Sequence, residues 1–228
     1  MASPARRRGR VVASFALTEP GAGSNPAGLR TTATADGDAW VLNGSKRFIT
    51  NATEAGLFVV FARTRPATED STGITVFLIP AGIEGIAVGA KDAKMGQEGT
   101  RTADVTFDDV RLEAEALVGG NAEAGYRAAM TSLARGRVHM AGLAVGCAQR
   151  ALDESVAYAA TATQGGTPIG DFQLVQAMLA DIRTGAMAGR AMVREAARLY
   201  VSGQDRPTWC EPHLVVSAAT RRRPPRPR

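Results

Sequence analysis

The chain has 228 residues, of which 45% are hydrophobic and only 5% aromatic, and its formal net charge is +5. Nine arginines lie in residues 1–10 and 221–228, and residues 11–220 carry a net charge of −4 once these are set aside. A mildly acidic, aromatic-poor body argues against a nucleic-acid-binding protein, and no apolar run approaches the roughly 20 residues of a membrane span.

Two cysteines, Cys147 and Cys210, are far apart in the sequence and belong to no CxxC pair. Such isolated cysteines are typical of reduced thiols in a cytosolic protein, and the basic N-terminal stretch lacks the apolar core of a signal peptide. We therefore expect a cytoplasmic protein. The two histidines, His139 and His213, have no other candidate metal ligands at a typical spacing in the sequence, so no metal site is predicted.

Residues 1–10 form an arginine-rich head that we expect to be disordered, and residues 11–118 have the pattern of a β domain. The side chains of "LRTTATAD" and "ADVTFDD" alternate, whereas "LFVVFAR" and "GITVFLI" are short runs rich in β-branched and aromatic residues, as buried strands are. The Asp-Gly and Asn-Gly pairs in "DGDAW" and "LNGS" are hairpin signals, because these residues tolerate positive φ. Several short strands at this spacing predict a compact antiparallel β-barrel or sandwich.

Residues 119–203 have a helical period instead. No proline occurs between Asn121 and Thr161, and after the break at "TQGGTPIG" a stripe of apolar residues runs from Phe172 to Tyr200 in steps of three and four. This spacing is typical of helices that pack in a bundle. We therefore predict an antiparallel helix pair, an incomplete bundle whose remaining apolar surface needs further helices or another subunit.

The predicted fold class is accordingly α+β, with an antiparallel β domain followed by an incomplete antiparallel helical bundle. After Gly203 the periodic pattern stops. Residues 204–228 are rich in proline and arginine, and we expect this tail to be disordered or to be a frameshifted end.

The segment "FALTEPGAGSNPAG", residues 15–28, raises the question of why the chain turns so sharply after an apolar run. A tight turn between two strands is one answer. The other is a loop that holds phosphates, since glycines let the backbone approach a ligand and bared N–H groups form an anion nest. Taken alone, the segment leaves both answers open.

A second segment, "NGSKRFITN" at residues 43–51, also follows a predicted strand. Together the two segments offer hydroxyl groups at Thr18, Ser24 and Thr50. A flat heteroaromatic ring with polar edges could be held by the two threonines with Phe48 against it. The diphosphate of such a ligand could rest near Ser24.

Arg137 falls on the apolar stripe of the first predicted helix, between Leu133 and Met140. This position predicts a buried guanidinium, which needs an anion or several hydrogen-bond acceptors. An arginine that extends its charged end to solvent, or that pairs with a nearby carboxylate, is the alternative.

These segments also carry a resemblance to a known family. "ALTEPGAGSN" followed by "GDAWVLNGSKRFITNA" resembles the acyl-CoA dehydrogenase family, and the similarity continues through "KMGQEGTRTADVTFDDVRL" and "GTPIGDFQLVQAMLADI". It covers about residues 11–203. The resemblance implies a middle β domain that binds FAD and acyl-CoA, followed by the first part of a C-terminal helical domain.

The activity implied by this resemblance is the removal of the α and β hydrogens of an acyl-CoA thioester. In the family, a carboxylate takes the α proton and FAD accepts the β hydride. The resemblance therefore implies an FAD-dependent oxidoreductase of fatty acid metabolism, with electron-transfer flavoprotein as a partner. It also implies a homo-oligomer, a dimer or tetramer that forms through the helical domain.

The same resemblance implies which residues bind the ligands. By the matching motifs, the FAD contacts would be Phe15, Ala16, Leu17, Thr18, Gly23, Ser24, Phe48, Ile49 and Thr50. Thr18 and Thr50 would hydrogen-bond the flavin ring, and Phe48 would cover one of its faces. Ser24 and Arg137 would also contact the acyl-CoA substrate.

The sequence departs from the family pattern in three ways. A whole helical domain normally precedes "ALTEP", whereas a short head precedes it here. Ala162 stands where an arginine normally reaches the FAD of a partner subunit, and Gly165 stands where an aromatic residue is usual, although Gln164 is near. Gly136 stands where some members carry the catalytic glutamate, and others carry it in a later segment that this chain ends before.

From these departures we expect a truncated member without a visible catalytic base. We predict that the chain by itself has little dehydrogenase activity, because general acid–base catalysis typically contributes ~10²–10⁴-fold. One alternative is a non-catalytic FAD-binding protein or interaction partner of a full-length relative. The other is a flavoprotein oxidase or monooxygenase of the same fold.

Overall fold

The structure is a computed structural model that describes residues 11–65, 73–120 and 125–203. The chain divides into two compact units, Met1–Met130 and Thr131–Arg228. The head and the tail for which the sequence predicts disorder lie outside the described residues.

A mixed sheet that curls into half a barrel forms the described part of the first unit. Its strands are β1 (Ala13–Ala16), β2 (Thr32–Asp36), β3 (Ala39–Thr50), β4 (Leu57–Arg63), β5 (Ile74–Pro80), β6 (Ile86–Val88) and β7 (Thr102–Glu113). They follow the order β1-β4-β2-β3-β7-β6, and β5 pairs with β4 outside this path. Most neighbours are antiparallel, but β4 runs parallel to both β1 and β2, which makes the sheet mixed. The α+β class predicted from the sequence is confirmed.

The core of the sheet follows from the alternation of side chains along its strands. On β7, Ala103, Val105 and Phe107 are buried while the residues between them face away from the core. Phe58 of β4 meets Phe107 edge to face, with ring centroids 6.4 Å apart. This geometry suits the quadrupoles of two aromatic rings and fixes the register of the inner face.

The two predicted hairpin signals have different outcomes. The Asp-Gly signal is confirmed, because Asp36 pairs with Ala39 across a tight turn in which Gly37 has a φ of +61°. The Asn-Gly signal is wrong, because β3 continues through Asn43 and Gly44 as an irregular strand. Gly44 is needed there for a close approach to Thr31, the residue before β2, rather than for a turn.

Two long helices, α1 (Gly125–Thr161) and α2 (Gln173–Val201), account for most of the helical region. Between them, β8 (Thr163–Gln164) and β9 (Thr167–Pro168) form a small hairpin. Its turn is Gly165-Gly166, and both residues have positive φ, as a two-residue turn requires. In the part of the chain that the structure describes, no helix is long and apolar enough to cross a bilayer.

The faces that the two helices bury agree only partly with the predicted stripes. On α2, the predicted positions Ala186, Gly189 and Ala196 are buried. On α1, the buried seam contains Val145, whereas Met140, predicted on the stripe, is 62% exposed. The two helices approach closely at this seam, since a Cβ added at Gly189 would lie 3.2 Å from a methyl group of Val145.

Candidate functional site

The first of the two predicted segments forms a narrow turn that we call the first bend (residues 18–24). The N–H of Glu19 donates to the carbonyl of Ala22 at 3.1 Å, and the N–H of Ala22 donates back to the carbonyl of Glu19 at 3.2 Å. Beyond this closure, the N–H groups of Gly23 and Ser24 donate to no atom of the described residues. A Cβ added at Gly23 would likewise meet none of these atoms within 4 Å, so the backbone is open to a ligand.

The second segment contributes the second bend (residues 48–50), which lies beside the first. The N–H of Arg47 donates to the carbonyl of Thr18 at 2.8 Å, and the hydroxyl of Ser14 donates to the carbonyl of Thr50 at 2.8 Å. The structure therefore brings together two segments that the sequence separates by a strand and a hairpin. The hydroxyls of Thr18, Ser24 and Thr50 make no hydrogen bond within the described residues.

Phe48 owes its position to a β-bulge. The register between β3 and β7 shifts between Lys46 and Ile49, and Phe48 has a φ of +57°, which is uncommon for a bulky residue. As a result, Arg47 and Phe48 both point outward, and the ring of Phe48 is 57% exposed. The guanidinium of Arg47 lies 4.9 Å from the ring centroid, and Asp104 accepts the N–H of Phe48 at 3.3 Å.

Three of the predicted contact residues have side chains that face the core. Ala16, Leu17 and Ile49 are buried, so only their backbone atoms can meet a ligand at this surface. Phe15 is partly exposed, and its ring packs against Phe61 with centroids 4.8 Å apart. The predicted FAD contacts therefore include both side chains exposed at the surface and side chains buried in the core beneath it.

A buried ion pair, which sequence reasoning missed, underlies both bends. Lys46 is fully buried and Glu19 is 6% exposed, and the ammonium lies 2.8 Å from the carboxylate. The same ammonium donates to the carbonyls of Phe61 at 2.6 Å and Leu17 at 3.2 Å. All three donor positions of the lysine are thus used, which offsets part of the cost of burying its charge.

The carboxylate of Glu19 is held from the other side by the chain that leaves the first bend. It accepts the N–H of Arg30 at 2.6 Å, the N–H of Thr31 at 2.9 Å and the hydroxyl of Thr31 at 2.5 Å. Burial alone would raise the pKa of Glu19. The charge of Lys46 and these hydrogen bonds outweigh burial, so the pKa lies below its usual value of 4.5.

The pKa of Lys46 shifts in the direction that burial dictates. Desolvation lowers it to about 8 from the usual 10.5, against the opposing effects of the Glu19 charge and hydrogen bond. At neutral pH both members of the pair are therefore charged.

A second buried cation holds the same loop. Arg63, 2% exposed at the end of β4, donates through Nε to the carbonyl of Leu29 at 2.9 Å and through Nη2 to the carbonyl of Ala27. A charged residue that ends the apolar run "LFVVFAR" was the available signal for this contact, but its partners are backbone atoms that no motif identifies.

Two domain models of one family match the sequence and together cover most of it. They are the acyl-CoA dehydrogenase middle domain at residues 14–110 and the acyl-CoA dehydrogenase C-terminal domain at residues 123–217. The chain belongs to the acyl-CoA dehydrogenase family.

Similar proteins support the same assignment. The human mitochondrial short-chain specific acyl-CoA dehydrogenase is 41% identical over 191 residues, which cover 84% of this chain and 46% of that protein. The structure of butyryl-CoA dehydrogenase from Megasphaera elsdenii has a TM-score of 0.84 and 35% identity, covering 92% of this chain and 54% of that one. The FAD complex of PigA has a TM-score of 0.86 and 30% identity, with coverages of 92% and 55%. The chain thus spans about half the length of these relatives.

The helical positions that the family resemblance singled out lie on α1 and on the hairpin after it. Arg137 is exposed, so the burial predicted from its spacing is wrong, and it makes no contact with a partner in the described part of the chain. A Cβ added at Gly136, the preceding residue, would meet no atom of the described residues within 4 Å. Ala162 follows the helix, and Gln164 and Gly165 are exposed in the β8–β9 hairpin.

Cys147 lies on α1, and its side chain is exposed because Val145, rather than Cys147, lies on the buried seam. His139 is exposed on the same helix. Cys210 and His213 lie outside the described residues. Within those residues, no group of three or more His, Cys, Asp or Glu side chains could hold a metal ion.

Proposed function

We propose that this acyl-CoA dehydrogenase family member binds FAD at the two adjacent bends and acts in the α,β-dehydrogenation of an acyl-CoA thioester. The observation that carries the proposal is the juxtaposition of the bends through the Arg47–Thr18 hydrogen bond. Three hydroxyls and the N–H groups beyond the turn face outward there without partners among the described residues. FAD, when bound, supplies the acceptor for the β hydride.

The residues of the bends fit the two chemical parts of FAD. Thr18 and Thr50 offer hydroxyls to the polar edge of the flavin ring, and Phe48 offers an exposed ring face. The open N–H groups of Gly23 and Ser24 suit an anionic diphosphate, because successive bared N–H groups form a nest for phosphate. A donor set of neutral hydroxyls, one aromatic ring and backbone N–H groups thus fits a flavin dinucleotide.

Substrate binding is proposed for Ser24 and Arg137. Ser24 is exposed and its hydroxyl is unused by the described residues. The exposed guanidinium of Arg137 has no carboxylate partner within the same residues, so it can donate to an acyl-CoA. In this proposal each residue is a separate candidate contact of the acyl-CoA, while the position that holds a glutamate in some relatives is Gly136.

The helical unit is the proposed site of assembly into a homo-oligomer. Large apolar side chains are exposed at a spacing of four on one face of α2, namely Leu174 at 81%, Met178 at 57% and Ile182 at 40%. Exposed apolar patches of this kind are typical of interaction surfaces. By the family resemblance, electron-transfer flavoprotein is the proposed electron acceptor, and the free thiol of Cys147 supports a cytoplasmic location.

The test of the proposal combines cofactor retention with reduction. We expect the chain, mixed with FAD and passed through a gel-filtration column, to elute with the visible absorbance of oxidised flavin. Butyryl-CoA added without oxygen should then bleach this absorbance slowly as the bound flavin is reduced, because position 136 offers no carboxylate to take the α proton. Elution of all FAD in the small-molecule fractions would overturn the binding proposal, and bound flavin that no acyl-CoA reduces would overturn the activity.

A further inference from the structure

The loop from Leu17 to Thr31 depends on buried side chains for its position. Two backbone–backbone hydrogen bonds in the described structure tie it to the sheet, and both lie near its ends, at Thr18 and Thr31. Between them, the backbone bonds are local, such as the Glu19–Ala22 closure. The middle of the loop is therefore held on the sheet by the contacts of Glu19, Lys46 and Arg63.

One ion pair links the first bend to the part of β3 that leads into the second. Glu19 directly follows Thr18 in the first bend, and its carboxylate binds the N–H groups of Arg30 and Thr31 at the far end of the loop. Lys46 lies two residues before Phe48, at the start of the β-bulge that forms the second bend. Their 2.8 Å contact therefore ties the first bend to β3 just before the second bend.

We infer that Glu19 and Lys46 are positioning residues whose ion pair holds both bends in the arrangement that receives FAD before the cofactor arrives. This inference rests on the proposed FAD site. A preformed site binds more tightly because the loop does not lose conformational entropy on binding. The pair contacts core and backbone atoms rather than the outward face, so it acts through the loop and not on the cofactor itself.

The experiment uses a variant that removes both charges, Glu19→Gln/Lys46→Met. Removing both avoids a lone buried charge, which would unfold the sheet for reasons unrelated to the loop. The matched control is Asp36→Asn/Arg111→Met, which removes an exposed ion pair at the opposite end of β3.

Two readouts separate positioning from general stability. In the cofactor-free chain, amide hydrogen exchange at Arg30 and Thr31 should become faster in the double variant, while exchange in the core strand β4 stays as in the parent chain. In FAD titrations, the dissociation constant should rise by at least about tenfold, and the visible circular dichroism of the bound flavin should change. The control should change neither.

Unchanged loop exchange and unchanged FAD affinity in the double variant would overturn the inference. If β4 also exchanges faster, the single variant Thr31→Val decides, because it removes one hydrogen bond to Glu19 and leaves both buried charges paired. A change confined to the loop supports positioning, and renewed loss of β4 protection shows that the pair is only structural. A parent chain that takes up no FAD overturns the proposed function, whereas the exchange of the loop still tests whether the pair positions it.

Discussion

Thr18 and Thr50 are the residues whose chemistry the FAD proposal tests most simply. Each presents a hydroxyl that the described part of the chain leaves unused. Thr18→Val and Thr50→Val keep the β-branched shape and remove one hydrogen bond each, worth about 1 kcal/mol. We expect each variant to raise the dissociation constant of FAD by about fivefold in fluorescence titrations.

The control for these variants is Thr34→Val, at an exposed position on β2 away from both bends. It should leave FAD affinity unchanged. Equal effects of all three substitutions would mean that the hydroxyls at the bends do not contact the cofactor.

Gly136 allows a gain-of-function prediction. It lies in α1 next to Arg137, and a side chain there would meet no atom of the described residues within 4 Å. Gly136→Glu should therefore fold, with a small gain in helix propensity, and would place a carboxylate where some family members have their base. We expect turnover of an acyl-CoA with an artificial electron acceptor to rise by ~10²–10⁴-fold.

Gly146→Glu is the matched control, because Gly146 is an exposed glycine of the same helix with equally open surroundings. It adds the same charge at a different helix position. If the two glutamates raise turnover equally, or if neither does, the position of Gly136 carries no catalytic meaning.

The strand β3 is the element that determines the geometry of the site. It passes Thr31 so closely at Gly44 that an added Cβ would lie 2.5 Å from the Thr31 hydroxyl oxygen and 2.8 Å from its Cα, at a φ of +148°. Gly44→Ala should lower the free energy of unfolding by about 2 kcal/mol, because both the clash and the backbone conformation are unfavourable. Urea denaturation measures this change.

Gly146→Ala, on α1, should change the free energy of unfolding in the opposite direction to Gly44→Ala. The added methyl group meets open space, and we expect the free energy of unfolding to rise by about 1 kcal/mol from helix propensity. A destabilisation by Gly44→Ala no larger than the change at Gly146 would contradict the close approach of β3 to Thr31.

The lowered pKa of Lys46, on β3, makes the free energy of unfolding depend on pH. The native chain releases the Lys46 proton near pH 8, whereas an ordinary lysine holds it to 10.5. Between these values the unfolded chain binds more protons, so this group makes the free energy of unfolding rise with pH, by at most about 1.4 kcal/mol per pH unit. This stabilising contribution is lost as the pH falls to about 8, because Lys46 is then protonated in the native chain as well.

The measurement is the difference in unfolding free energy between the parent chain and Glu19→Gln/Lys46→Met, from pH 8 to 10.5. Arg63, the other buried cation at the loop, is present in both proteins. The parent should gain stability relative to the variant as the pH rises. Parallel curves would show that Lys46 titrates normally.

The sequence pattern predicted some strands and helices correctly and others wrongly. The alternation of "ADVTFDD" predicted β7, because one face of that strand is buried and the other is solvated. The pair Asn43-Gly44 misled, because its positive φ serves a close approach inside a long strand. The stripe on α1 misled in part, because Ala141 and Val145 are buried there while the larger Met140 is exposed.

For the molecule as a whole, the family and the α+β class could be predicted from motifs. The buried charged residues that hold the two bends in place could not. Glu19 and Lys46 are 27 positions apart, and nothing local to either residue indicates that the fold buries them together. Arg63 reaches the loop through backbone carbonyls, which any residue type provides. The outward residues of the bends could thus be predicted from motifs, whereas the buried charges that hold them required the tertiary structure.

Two adjacent bends of the β unit form the proposed FAD site. The most direct test is a titration of the isotopically labelled chain with FAD, followed by the backbone amide signals in nuclear magnetic resonance spectra. We expect the largest changes in amide chemical shift at residues 18–24 and 48–50, with smaller changes elsewhere in the sheet. Shifts that concentrate on other residues, or spectra that do not change at saturating FAD, would contradict this proposal.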